Sequence, residues 1–156
     1  MATAKQTAPS GPRAGFWPRF GEYIIDSILL GVVNLVVDLV LKGGVGIALS
    51  IILDIAYYVS LEGGPSGQTL GKRALGIRVV SFDTGGQLGY PRALIRYIGK
   101  IISGLVIFIG YLWMIWDPEK QTWHDKMASS VVVPVAAYPT GPVMAEPPYP
   151  QDTFSQ

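Results

Sequence analysis

Two long apolar runs lie close together in the first half of the chain. The first, from Phe20 to Leu41, is about 22 residues long and as a helix measures roughly 33 Å, enough to span a bilayer. The second extends from Val45 to Leu61 and is near the short limit for a span. The turn between them is only a few residues long, so the pattern predicts an antiparallel helical hairpin.

Two polar connectors each contain a short β-branched run. In the Gly-rich stretch 62–91, the run Ile77 to Val80 predicts a strand that ends at an Asp-Thr-Gly-Gly turn. Val131 to Val133 predicts a second strand. The two strands can pair only if both connectors lie on the same side of the membrane.

The third apolar region, residues 93–116, has two interpretations. If it crosses the membrane once, the C-terminal tail lies outside; if it bends around Gly104, the tail returns to the cytoplasm. We expect the return, which keeps Lys120 and Lys126 with the other basic residues. At its start, three basic residues at four-residue steps form the polar face of an amphipathic helix: Arg92, Arg96 and Lys100.

These patterns predict an all-α integral membrane protein. It has a hairpin of two spans, a third amphipathic, re-entrant or spanning region, and two short strands in cytoplasmic connectors. The membrane domain covers residues 16–134, between disordered tails at 1–15 and 135–156, the second rich in proline. The positive-inside rule places the N-terminus in the cytoplasm and the turn at Lys42 outside.

Composition excludes several classes of function. Only 15% of the residues are charged, and the mean hydropathy is +0.36. The absence of cysteine excludes disulfides and thiolate metal sites, and a net charge of +1 argues against nucleic acid as a partner. With one histidine, His124, and no serine elbow, we expect no enzyme and no cofactor. The segment G-P-S-G-Q-T-L-G-K-R fails as a phosphate loop, because Ser66 and Arg73 replace residues that the motif needs.

Carboxylates inside the apolar runs are the sharpest chemical feature. Asp26 lies in the first run and Asp54 in the second, at depths that antiparallel packing makes nearly equal. One hypothesis pairs the two aspartates as a proton or cation site. The other pairs Asp26 with Arg19, two turns earlier, as an ion pair that fixes helix packing.

Three blocks of sequence carry a family resemblance. They are R-F-x-E-x-x-I-D in the first run, G-Q-T-L-G-K-R-x-L-G-I-R-V-V in the connector, and D-P-x-x-Q-T-x-H-D-K-M-A-x-S-V-V-V before the tail. Together they resemble the RDD family of small bacterial membrane proteins, over residues 16–134. The family's arginine matches Arg19 and its first aspartate Asp26. The second aspartate is Asp117 or Asp125, of which we prefer Asp125; Asp54 is not part of the pattern.

The resemblance implies a multi-pass protein of the bacterial inner membrane and two possible functions. Some members resemble sodium/proton antiporters; others look like accessory partners of larger membrane complexes, including proteases and quality-control ligases. Two spans and a half-buried third cannot enclose a polar pathway alone. The sequence also shows none of the internal repeats that are usual in transporters. We therefore expect a non-enzymatic accessory or regulatory subunit, surrounded by membrane lipid, that docks on a larger complex. The alternative is a homo-oligomeric transporter or antiporter that uses Asp26.

Overall fold

The structure, a computed structural model, describes residues 11–106 and 108–138. Helices, strands and one 3₁₀ turn follow each other in this part of the chain as α1 Phe16–Val40, α2 Gly44–Gly63, α3 Leu70–Ala74, β1 Ile77–Ser81, α4 Tyr90–Leu105, α5 Ile109–Leu112, the 3₁₀ turn Trp113–Ile115, α6 Trp123–Met127 and β2 Ser130–Pro134.

Helices α1 and α2 form the predicted hairpin, and both are long and apolar enough to cross a membrane. Only 11% of the most apolar stretch of each helix is buried within the chain. Large side chains such as Val36 and Ile51 are more than half exposed. Exposure of so much apolar surface to water is unfavourable, so these faces must contact lipid or another protein. The predicted helical membrane fold is confirmed.

The inward face of α1 is polar and its outward face apolar, the reverse of a helix in a water-soluble protein. Its buried residues are Arg19, Glu22, Asp26 and Leu30, at spacings of three and four that place them on one face. Ionisable groups at membrane depth avoid hydrocarbon and face each other. The hairpin is therefore closed by charged side chains at one end.

The third region bends and returns. Helix α4 and the pair Ile109–Ile115 that follows meet at an angle of 113°. Strand β1, before α4, pairs antiparallel with β2, after the return, with Ile77 opposite Pro134. Both connectors therefore lie at the same end of the hairpin, as expected for a third region that returns. The helix ends at Leu105, one residue beyond the predicted bend at Gly104.

The two-stranded sheet holds the main apolar core. Ile77, Val79 and Val132 pack on one of its faces with residues from the start of α4. Some residues predicted to be in disordered tails belong to this unit. The backbone N–H of Ala14 donates to Val132 O at 2.9 Å, and Tyr138 packs on the other face of the sheet. Residues 1–10 and 139–156 lie outside the described residues.

The segments α3–β1 and α6–β2 have the same local structure. The side chain of Thr69 caps α3, and that of Thr122 caps α6. The glutamine before each threonine donates to the first carbonyl of the next strand: Gln68 to Ile77 O at 2.9 Å and Gln121 to Ser130 O at 2.8 Å. Equivalent residues are 53 positions apart in the sequence, as Thr69 is from Thr122 and Ile77 from Ser130.

Backbone conformation follows the same repeat. Gly67 has a φ of 60° and its equivalent, Lys120, a φ of 53°. Likewise, Gly76 has a φ of 64° and its equivalent, Ser129, a φ of 46°. The register is symmetric about the pair Val79–Val132, so a local pseudo-twofold axis relates the two segments. The connectors therefore contain a short repeat that was not expected from the sequence; it covers α3–β1 and α6–β2 and does not include the membrane-spanning helices. Its sequence signal is short: both segments contain P-x-x-Q-T.

Candidate functional site

Charged side chains fill the space where the connectors meet the hairpin. We call this group the buried ion cluster; it consists of Arg19, Glu22, Asp26, Glu62, Lys72, Arg96, Lys100 and Asp125. Four members are basic and four are carboxylic, so their formal charges balance. Buried charges are retained in a fold only when they are paired and hydrogen-bonded. Without a partner, removing each ion from water costs roughly several kcal/mol.

Glu62, at the end of α2, is the centre of the cluster and is fully buried. Its carboxylate accepts from Lys72 Nζ at 2.9 Å, Arg96 Nε at 2.8 Å and Lys100 Nζ at 2.7 Å. Lys72 also pairs with Glu22 of α1. One carboxylate thus joins α2, α3 and α4, and Lys72 extends the connection to α1.

Asp125 holds the other side of the cluster, and local sequence fixes its position. Thr122 and Asp125 form a capping box at the start of α6, in which Asp125 Oδ2 accepts the Thr122 N–H at 2.9 Å. The same carboxylate pairs with Arg19 Nη2 at 2.7 Å and with Arg96. Asp125 is fully buried and links α6 to both α1 and α4.

Asp26 is bound by neutral donors. Its carboxylate accepts from Tyr57 Oη at 2.7 Å, Thr69 Oγ1 at 2.6 Å and the Gly71 N–H at 2.8 Å. Thr69 in turn accepts the Lys72 N–H as the cap of α3. The connector block G-Q-T-L-G-K therefore folds around Asp26, which ties α1 to α2 and α3.

Two pairings expected from the sequence are wrong. Arg19 pairs with Asp125 and not with Asp26, because α6 brings a carboxylate to the arginine while α3 surrounds Asp26. Asp54 accepts a hydrogen bond from Asn34 Nδ2 at 3.1 Å and does not meet Asp26. Asn34 lies eight positions beyond Asp26, a rise of about 12 Å along α1, so the two aspartates lie at different depths.

Asp117 is placed beside the cluster rather than in it. It pairs with Lys126 Nζ at 2.5 Å and accepts backbone N–H groups, including that of Gln121 at 3.1 Å. Burial alone would raise the pKa of Asp117, but these hydrogen bonds outweigh burial and lower the pKa below its ordinary value. Of the two candidate aspartates, Asp125 is the one that contacts Arg19.

His124 lies against the cluster without sharing its hydrogen bonds. Its ring packs on Tyr111 with centroids 5.0 Å apart, and among the described residues Nδ1 has no hydrogen-bond partner. Burial lowers the pKa of His124 well below its ordinary value, and the positive charges of Arg96 and Arg19 act in the same direction. The imidazole is therefore neutral in the folded protein.

Sequence reasoning did not single out five of the eight cluster members as site residues, and treated them only as connector or interface charges: Glu22, Glu62, Lys72, Arg96 and Lys100. Their signal is a charged residue within a turn of an apolar run, which needs a partner at the membrane surface. Residues 11–106 and 108–138 contain no group of three or more acidic or histidine side chains placed to hold a metal ion.

Two apolar helices, closed at one end by paired charges and followed by a bent third region, define a small multi-pass helical membrane protein. The chain belongs to the RDD family, whose model matches residues 13–129.

Three relatives show how widely the similarity extends. The uncharacterized protein YxaI of Bacillus subtilis is 28% identical over 77% of this chain and 96% of its own. The uncharacterized membrane protein YteJ, also of B. subtilis, is 32% identical over 77% and 80%. The proline-rich antigen homolog of Mycobacterium tuberculosis is 35% identical over 46% of this chain; the match spans only 30% of that protein. No solved structure matches the chain.

Proposed function

We propose that the chain is a non-enzymatic accessory or regulatory subunit that docks on a larger membrane protein complex through its hairpin. The observation that carries the proposal is Asp54. This carboxylate lies in the middle of α2, is partly exposed, and has Asn34 as its one donor among the described residues. A carboxylate facing hydrocarbon is costly, so its exposed side requires a protein partner.

The surroundings of Asp54 also lack partners. In the part of the chain that the structure describes, Asn34 Oδ1 and Ser50 Oγ are buried without a hydrogen bond. Ser50 lies one turn from Asp54 on the same face of α2. Three neighbouring polar groups in the apolar hairpin therefore have unused hydrogen-bonding capacity.

The exposed carboxylate of Asp54 indicates which kind of side chain a partner must supply. A basic or hydrogen-bond-donating side chain on another membrane helix would neutralise the exposed side of Asp54. The buried ion cluster supports docking from the other end of the hairpin, since it fixes the start of α1 and the end of α2 against the connectors. Its carboxylates are already bound to cations or donors, which favours a scaffold over a reactive site.

The test is the mass of the tagged full chain extracted from its native membrane in mild detergent. We expect a stoichiometric complex with an unrelated membrane protein, identified by mass spectrometry. Asp54→Asn should release that partner, because the amide keeps the contact with Asn34 and loses the charge. The matched control is Asp38→Asn, the same change at the exposed outer end of α1, which should leave the complex intact. Retention of the partner by Asp54→Asn would contradict docking at Asp54.

Transport by a homo-oligomer is the second candidate function. It is supported by Asp26, a fully buried carboxylate inside α1 that has no cation bound to it among the described residues. If Asp26 carries protons or cations, Asp26→Asn should abolish sodium- or pH-driven flux in vesicles while the protein stays folded. A discrete homo-oligomer in the extraction experiment would favour this function over docking.

For localisation we propose the bacterial cell membrane, with the N-terminus and both connectors in the cytoplasm. The natural chain has no cysteine, so single cysteines report topology without background. Lys42→Cys, in the exposed hairpin turn, should react with an impermeant thiol reagent in intact cells. Thr84→Cys, exposed in the connector, should react only after lysis. The reverse result would invert the orientation.

A further inference from the structure

A cavity of about 620 Å³ lies between α1, α4 and the returning helix α5. This volume is within the range of about 300–1,000 Å³ that is typical of small-molecule sites. The cavity lies at the connector end of the hairpin, and neither Asn34 nor Asp54 is among its lining residues. Binding in this cavity is therefore independent of docking at Asp54.

The walls of the cavity are apolar and open outwards. Phe20, Leu105, Phe108 and Leu112 line it, and each of these side chains is at least 38% exposed. Side chains that both line a cavity and face outwards mark its mouth. The same outer surface carries the exposed apolar faces of α1 and α4, so the mouth opens towards lipid rather than water.

The floor of the cavity is charged and predominantly basic. Arg19, Arg96 and Lys100 line it, with Glu22 as the one carboxylate among its lining residues. The carboxylates that compensate these cations, Glu62 and Asp125, lie behind them and do not line the cavity. The surface offered to a ligand thus carries three positive charges and one negative.

Lys100 is the floor residue best placed to meet a ligand. Its side chain is 12% exposed, and its ammonium lies 3.9 Å above the centroid of the Tyr58 ring. Within the described residues its one hydrogen bond goes to Glu62, although an ammonium has three donors. Donors therefore remain at the floor for an anionic group.

We propose that this cavity binds one anionic phospholipid from the surrounding membrane. An acyl chain lies along the apolar wall, and the phosphate group lies against Lys100 and Arg19. Basic pockets between membrane helices suit such headgroups. A zwitterionic lipid fits less well, because its cationic end adds a positive charge beside the three already present.

The test uses native mass spectrometry of the full chain in detergent, with equal amounts of palmitoyl-oleoyl phosphatidylglycerol and phosphatidylcholine. We expect one bound phosphatidylglycerol per chain. Gly104→Phe should remove most of this adduct, because Gly104 lines the cavity and a Cβ added there meets no atom within 4 Å, so the ring can enter the cavity. The matched control is Gly31→Phe, on the outer face of α1 with the same free space, which should keep the adduct.

Charge recognition is tested separately. Lys100→Gln should lower the ratio of bound phosphatidylglycerol to phosphatidylcholine about tenfold, the contribution of one charge-assisted hydrogen bond. Lys42→Gln, at the far turn of the hairpin, should not change it. Equal retention of the two lipids by the natural chain, or equal adducts on Gly104→Phe and Gly31→Phe, would overturn the proposal. These two results decide it even if Lys100→Gln does not fold.

Discussion

Arg19 and Asp125, one near the start of the membrane domain and the other near its end, form a buried ion pair with an N–O distance of 2.7 Å. Arg19 also donates to Lys120 O at 3.0 Å, so the first helix holds the final connector at two points. The pair closes the fold, because it joins the first turn of α1 to the segment that returns after α4 and α5.

The Arg19–Asp125 pair should be strongly coupled. Arg19→Gln leaves the Asp125 carboxylate with one cation, Arg96, instead of two, and Asp125→Asn leaves the Arg19 guanidinium without a carboxylate. Each change should lower the free energy of unfolding, by about 3 kcal/mol where the charge loses its carboxylate and by less where one cation remains. A double-mutant cycle, read by unfolding in detergent, should give a combined loss smaller than the sum of the single losses. The control is Arg92–Asp83, 3.1 Å apart with side chains 42% and 47% exposed, where losses should be small and additive. Additive losses at Arg19 and Asp125 would mean that the two side chains do not act as a pair.

Asp26 should be worth more to stability than any one of its donors. Tyr57→Phe removes one hydrogen bond and should cost about 1 kcal/mol. Asp26→Asn should cost more, roughly 2 kcal/mol, because an amide cannot accept from all three donors. Thermal unfolding in detergent measures both changes. Asp38→Asn, at an exposed position on the same helix, should leave the unfolding temperature unchanged, and an equal loss there would remove any special role for Asp26.

The pseudo-twofold repeat predicts opposite effects at equivalent positions. Ser129 adopts a φ of 46° where its counterpart, Gly76, adopts 64°. Ser129→Gly should stabilise the protein and Gly76→Ala should destabilise it, each by about 1 kcal/mol, because a Cβ is strained in this conformation. No atom lies within 4 Å of a Cβ added at Gly76, so the effect there is conformational rather than steric. Shifts of the unfolding temperature in the same direction would contradict this reading of the repeat.

His124 should make stability fall in mild acid. Because its pKa is lowered in the folded protein, the unfolded chain binds the additional proton below about pH 6.5, and protonation then favours unfolding. The unfolding temperature in detergent should therefore decrease as the pH falls through this window. His124→Gln should flatten the decrease, and since His124 is the single histidine of the chain, no other imidazole contributes.

Asp117 provides the control, since it affects stability in a different pH range. A carboxylate with a lowered pKa stabilises the fold above its unfolded pKa, near 4, and the stabilisation is lost as the pH falls further. Asp117→Asn should change the pH dependence below about pH 4 and leave the region near pH 6 as it is. A His124→Gln profile that matches the natural chain between pH 5 and 7 would show that the imidazole is not held neutral.

The sequence by itself determined the elements. Apolar runs of spanning length gave the hairpin, and β-branched runs between turn residues gave both strands, because these signals depend on near neighbours along the chain. The return of the third region also followed, from the distribution of lysine and arginine. The short motif P-x-x-Q-T occurs in both repeated segments, but the repeat is recognisable only from the backbone conformations of Lys120 and Ser129.

Only the tertiary structure decided which charges meet. Spacing along α1 made Arg19 a partner for Asp26, yet α6 supplies Asp125 to the arginine and α3 supplies neutral donors to the aspartate. Depth alone could not separate Asp26 from Asp54, because the register of the hairpin depends on side-chain packing between α1 and α2. Glu62 became the centre of the cluster for the same reason: its three cations come from α3 and α4, and only the folded chain brings them to one carboxylate.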